Sequence, residues 1–248
     1  MERDAMAERL GEYFDLQLHF AWRLSERSGM PLRNTVLGFT NLHRRFGLGD
    51  PAQGIAPAWE DFIGPLERLG DAAQRKAWTQ DFYRRCAAEA LPADQQHFGC
   101  FACEAPDALG VLRLHFVNRD GDDGVGPLNR AKAARRRGEL AQLFAFVREH
   151  YPQAVAVRGV SWLYHLEAYR RLFPPAYGAS ARQAQRVRLS GSSSWGQFLR
   201  HDGAIKAELR NVLLQRLDTL ELAAPWRAFP LPALVAAAPV ELFFEALP

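Results

Sequence analysis

Over the first ninety residues the hydrophobic positions recur at a helical period. Between Ala5 and Glu26 they fall at Met6, Leu10, Tyr13, Phe14, Ala21 and Leu24, a spacing that predicts an amphipathic helix ended by Gly29 and Pro31. A second helix is predicted over Leu32–Phe46, with Val36, Leu37 and Leu42 on its buried side. The glycine- and proline-rich stretch 47–57 reads as a loop, and two further helices are expected around Ala58–Leu69 and Asp71–Ala90.

From Pro92 the period changes to two. HFGCFACEA (97–105) and VLRLHFVNR (111–119) flank a turn-like PDALG and predict a β-hairpin. In the second strand Leu112, Leu114 and Phe116 share one face, and Arg113, His115 and Val117 share the other. A polar loop, DGDDGVGP, precedes a helix with Asn129 as its N-cap and an apolar stripe of Leu140, Leu143, Phe144, Val147 and Tyr151. AVAVRGV (154–160) predicts a buried strand, and Ser161 caps a predicted helix over 162–173 that Pro174-Pro175 ends. A basic strand is expected at 181–191, helices through 204–220, then a short helix and a final strand in the tail.

These elements predict an α+β fold: a mixed, largely antiparallel sheet with a helical N-terminal part and C-terminal helices. No repeat or low-complexity linker divides the chain. It therefore reads as one domain, 1–248, with any subdivision falling near residue 92 into a helical 1–91 and an α/β 92–248.

Composition narrows the classes. With 48% hydrophobic and 24% charged residues the chain is not disordered. A net charge of +3 is too small to imply a nucleic-acid partner, which calls for clustered charge as well. Of the 31 basic residues 28 are arginine, a bias that suits phosphate or carboxylate recognition but also follows from GC-rich coding. Three cysteines do not make a disulfide framework, the charged opening lacks a secretory apolar core, and no run approaches the about 18 apolar residues of a membrane span. Together these predict a cytoplasmic protein without membrane contact.

Most apparent motifs have plainer readings. Cys100-Phe-Ala-Cys103 has no second ligand pair for zinc and lies in a predicted strand rather than at a helix start, so a structural role is expected and no metal is predicted. NRDGDDG (118–124) fails the calcium-loop register, and GSSSWG near His201-Asp202 has Trp195 where a nucleophile elbow needs glycine.

One stretch is richer. Arg130, Lys132, Arg135, Arg136 and Arg137 crowd the start of a helix, where the dipole disfavours cations, so either an anion docks there or the side chains form a solvated face. Trp162, Tyr164, His165 and Tyr169 then concentrate on the next predicted helix, with Trp162, His165 and Tyr169 on one face. They read either as core or as proton-transfer groups following a strand end.

The order strand, strand, helix, strand, helix, strand from residue 97 onward, with VLRLHFVN before a basic helix and AYRRLF ending the next, resembles the GNAT family of acyltransferases over about residues 97–190. In that family an Arg-Gly-rich turn opening the helix holds the pyrophosphate of acetyl-coenzyme A. Arg137, Gly138 and Leu143 match the pattern R-G-x-G-x-x-L, whereas Leu140 replaces the second glycine and the segment before it is longer than usual. Tyr169 matches the family's leaving-group tyrosine, while Trp162 and His165 depart from the asparagine and alanine preceding it. The resemblance implies an acyl-CoA-dependent N-acyltransferase acting on a small-molecule or protein amine. Arg135, Arg136, Arg137 and Gly138 would hold the phosphates of acetyl-CoA or another acyl-CoA, Tyr169 would be the general acid and His115 a base. The rival is a non-catalytic protein that binds a protein partner through its arginine-rich and aromatic helices.

Overall fold

The computed structural model describes residues 2–52, 54–86, 95–120, 124–185 and 187–247. The boundary expected near residue 92, and positions 121–123 of the calcium-like loop, lie outside them. The chain forms two compact units: Met1–Ala90 with Arg186–Pro230, and Leu91–Gln185 with Leu231–Pro248.

The first unit opens with α1 (Glu2–Ser28), α2 (Leu32–Phe39) and α3 (Leu42–Arg45). The helix expected over 32–46 is thus two, parted at Thr40, which takes extended backbone. The short strands β1 (Gly49–Asp50) and β2 (Gly54–Ile55) pair antiparallel ahead of α4 (Ala58–Leu66) and α5 (Ala72–Arg85). Asp71 caps α5 by accepting from the Gln74 N–H at 2.8 Å. The stripe read from the sequence is buried apart from the half-buried Met6, yet α1 also buries Leu16, Leu18 and Phe20 on its other sides, as befits a helix packed on α2, α5 and α10. Polar groups enter this core as well. The Tyr13 hydroxyl donates to Asn41 Oδ1 at 3.1 Å, and Gln17 Oε1 accepts from the Asn41 N–H at 2.8 Å. His43 is wholly buried, edge-on to Trp59 with ring centroids 6.2 Å apart, and neither ring nitrogen has a hydrogen-bond partner among the described residues. Burial, helped by the Arg44 charge, pulls its pKa from 6.5 to about 4.

The second unit begins with β3 (Gln95–Phe98), β4 (Phe101–Glu104) and β5 (Val111–Phe116). The single strand expected over 97–105 is folded on itself at Gly99-Cys100. Gly99 has φ +59, and a Cβ there would stand 2.1 Å from the Glu139 side chain, so only glycine fits the turn. A 3-10 turn at Arg130–Lys132, capped by Asn129, leads into α6 (Ala133–His150), then β6 (Ala156–Ser161).

The helix expected over 162–173 is a 3-10 turn, Trp162–His165, and a one-turn α7 (Glu167–Arg170), parted by extended backbone at Leu166. In one continuous helix, residues five apart would diverge by about 140°. The break lets Tyr164 and Tyr169 enter the same core. α8 (Pro175–Ala179) follows, and of the strand expected at 181–191 only β7 (Arg182–Gln183) forms a ladder among the described residues. The chain re-enters the first unit with α9 (Ser192–Trp195) and α10 (Ala207–Leu217), and returns for β8 (Leu234–Pro239) and α11 (Glu241–Ala246). The tail is therefore strand then helix, the reverse of the expected order.

The six-stranded sheet has the order β3-β4-β5-β6-β8-β7. Every step is antiparallel except β5–β6, which is parallel. The fold is mixed α and β, with a mixed sheet and a helical N-terminal part. On one sheet face Phe101, Cys103, Leu112, Leu114, Val157 and Ala236 join Leu140, Leu143, Phe144 and Val147 of α6 in the core, and Phe144 stacks on Phe243 at 4.4 Å. Among the described residues no helix is long and apolar enough to cross a membrane.

Candidate functional site

The residues expected to hold acyl-CoA or to act as acid and base all belong to the second unit. The parallel step is the first feature of the site. β5 and β6 pair from Val111↔Ala156 to Leu114↔Gly159 and no further. Beyond that level β5 continues on β4 through Phe101↔Phe116, and β6 continues on β8 to Ser161↔Leu234. Past that level the carboxyl ends of the two parallel strands no longer pair with one another.

His115 stands at the first position past the last pair, on the face shared by Arg113. Its Nε2 lies 2.8 Å from Glu104 Oε1, while Glu104 Oε2 lies 3.5 Å from Arg113 Nη1. His97 lies in the same cross-strand row, opposite Ala102, and burial lowers its pKa.

Tyr169 is on the opposite side of the sheet. Its ring meets Phe116 at 5.5 Å, Tyr164 at 5.2 Å and Phe173 at 4.9 Å, and it is buried. The Tyr164 and Tyr177 hydroxyls are 2.6 Å apart, and a Cβ at residue 159 would fall 1.9 Å from the Tyr164 oxygen, so the tyrosines pack onto bare backbone at Gly159. Burial raises the pKa of all three phenols, keeping them protonated. His115 and Tyr169 are thus near the same level of β5, on opposite faces. His165 is turned elsewhere, its Nε2 2.8 Å from the Pro232 carbonyl oxygen.

The arginine cluster divides. Arg136, expected to hold phosphate, is wholly buried and spent inside the chain: its Nη2 lies 2.8 Å from Asp120 Oδ2 and 2.7 Å from Glu139 Oε1, and its Nη1 contacts Cys100 Sγ. Asp120 Oδ1 also lies 3.2 Å from both Lys132 Nζ and Arg135 Nη1. The anion that these cations call for at the helix start is, for Arg136, the chain's own carboxylate. Glu139 in turn accepts from the Cys100 N–H at 3.0 Å, which ties α6 to the β3–β4 turn. Gly138 is exposed but sits six residues into α6, where its N–H belongs to the helical ladder and cannot cradle a phosphate. Leu140, in place of the second glycine, is core.

Arg137 points another way, since each helical step turns about 100°. With Glu167, Arg170 and Arg171 it lines an open cleft of about 630 Å³ floored by Leu172, Phe173 and Pro174. Arg137 donates to the Arg171 carbonyl at 3.1 Å, and Arg171 to the Leu128 carbonyl at 3.2 Å. None of the three arginines has a carboxylate partner among the described residues. Arg170 and Arg171 stand in the AYRRLF segment that points to Tyr169, and their charge was the available signal. Glu104 could have been found from alternation, which puts it on the same face as His115.

Cys100 and Cys103 are free and buried; burial pushes the Cys103 thiol up to about 12. Among the described residues no three His, Cys, Asp or Glu side chains gather as metal ligands would. Compared with known protein-family models, with curated proteins and with solved structures, the chain finds no match in any of the three.

Proposed function

We propose that this chain is a GNAT-like, acyl-CoA-dependent N-acyltransferase whose acceptor is an amine. The observation that carries the reading is the single parallel step in an otherwise antiparallel sheet, unpaired at its carboxyl ends beyond Leu114↔Gly159. Ligands of sheet proteins settle where parallel strands end and part. A thioester at that level would have His115 on one face and Tyr169 on the other.

The donor set suits the ligand. Arg137, Arg170 and Arg171 offer three guanidinium groups, none neutralised by a carboxylate, to phosphate oxygens in a cleft next to the Tyr169 segment. Arg135 is already paired with Asp120, and Arg136 with Asp120 and Glu139. The phosphate-holding role therefore passes from Arg135, Arg136 and Gly138 to Arg137 and the two later arginines. Bound acyl-CoA supplies the acyl group as a thioester. His115 takes a proton from the amine nitrogen, and the protonated Tyr169 hydroxyl is the donor to the departing sulfur.

Thermal melting with excess acetyl-CoA tests this. At about 100 times the dissociation constant the ligand adds roughly 2.7 kcal/mol, a clear rise in Tm. Arg170→Ala removes an exposed charge from the cleft and should weaken binding about tenfold or more. No Tm rise with acetyl-CoA or longer acyl-CoAs would overturn the reading. Unchanged affinity in Arg170→Ala and Arg137→Ala would remove the cleft from it.

A further inference from the structure

We infer that the sheet face opposite α6 docks an acidic protein segment, with Arg113, Arg158 and Arg182 as its anchors. The inference goes beyond the transferase reading and stands without it.

The cross-strand register fixes what stands on that face. Arg113 on β5 is directly opposite Arg158 on β6, and Arg158 is opposite Ala237 on β8. Arg182 on β7 is opposite Val235, which also faces Val160. Residues opposite one another in a ladder share a face, so the three arginines form a diagonal row over four strands. All three are exposed, and Val160 beside them is 40% exposed. Like charges side by side on neighbouring strands repel, so the Arg113–Arg158 pair costs the sheet stability unless something anionic covers it. Glu104 lies 3.5 Å from Arg113, and Asp107 acts on Arg113 and Arg158 through space. Asp107 is itself engaged, accepting from the Leu109 and Val111 N–H groups at 2.9 and 3.0 Å. Among the described residues neither Arg158 nor Arg182 has a carboxylate within ion-pair reach. Arg119, which acts on His97, and His115 stand at the β3–β5 end of the face.

The composition of the face selects the class of partner. Its exposed side chains include no phenylalanine, tyrosine or tryptophan, the rings on which single-stranded nucleic acids stack their bases. Arginine beside the aliphatic Val111, Val160 and Ala237 is instead a mixture suited to a protein partner. The spacing suits a helix. With strands about 4.8 Å apart and about 3.3 Å between residues along each, Arg113 and Arg158 are about 5 Å apart at the backbone, and Arg158 and Arg182 about 12 Å. A helix rising about 1.5 Å per residue offers carboxylates at roughly i, i+4 and i+11 to those three positions from one side.

Fluorescence anisotropy with the full chain tests this. The probe is a labelled helical peptide with glutamate at i, i+4 and i+11 and leucine at i+7 and i+8. A scrambled peptide of the same composition and an oligouridylate of the same length are the comparisons. The patterned peptide should bind at least about tenfold more tightly than either. Arg158→Glu should weaken its binding about tenfold or more, whereas Arg130→Glu, the same charge change at an exposed position on the turn leading into α6, should alter it less than about twofold. Should Arg158→Glu lower the Tm, Arg182→Glu on the edge strand β7 repeats the test. Absent binding of the patterned peptide, equal binding of the scrambled one, or equal losses in Arg158→Glu and Arg130→Glu overturns the inference. Tighter binding of the oligouridylate overturns the choice of a protein partner.

Discussion

His43 makes the first unit sensitive to mild acid. Its folded pKa, about 4, lies below the 6.5 of an unfolded chain, so between these values the unfolded state binds the extra proton. Stability is therefore present above about pH 6.5, falls as the pH drops through the window, and is fully lost below about pH 4. The whole difference corresponds to about 3 kcal/mol, of which about half disappears between pH 7 and pH 5. Asp50, the nearest carboxylate, has a lowered pKa and titrates below this window. Urea unfolding followed by tryptophan fluorescence suits the measurement, because Trp22, Trp59, Trp78, Trp195 and Trp226 all belong to the first unit. The comparison is with His43→Phe, which keeps a ring against Trp59 and cannot titrate. Differencing the two proteins cancels every other ionisation. The wild type should lose about 2 kcal/mol more than the variant on going from pH 7 to pH 5. Equal losses would refute the reasoning, as would a histidine resonance for His43 that titrates near 6.5.

Two further outcomes follow from the second unit. Asp120→Ala strands the buried Arg136 without one of its two carboxylates and should cost about 3–5 kcal/mol, and Arg136→Met, which leaves the buried Asp120 and Glu139 without their shared cation, should cost a similar amount; calorimetry would read each as a large fall in Tm. Gly159→Ala drives a methyl into the Tyr164 and Tyr177 hydroxyls and should lower Tm sharply; adding Tyr164→Phe should recover part of the loss, and no recovery would contradict the close approach.

Local pattern was legible wherever one face met one environment. The alternation in Val111–Phe116 put Leu112 and Leu114 inside and Arg113 and His115 outside, and the period in α6 named its buried stripe. What local pattern could not carry was set by groups distant in sequence. Glu139 fills the space that folds residues 95–104 into two strands at Gly99, and nothing near Gly99 announces it. Arg135, Arg136 and Arg137 are indistinguishable as letters; Asp120 and Glu139 decide that the middle one is buried. Of the candidate site, His115 and Tyr169 were named from sequence, while Glu104, Arg170 and Arg171 emerged from cross-strand register and the shape of the cleft.

The strand order also dictates when the sheet can be completed. β8, an interior strand between β6 and β7, follows every other described strand of the sheet in the chain. Until residues 234–239 emerge, one edge of β6 has no partner and β7 has nothing to pair with. Removing residues 234–248 would thus take out an interior strand of the sheet and expose the edge of β6 to association with other chains.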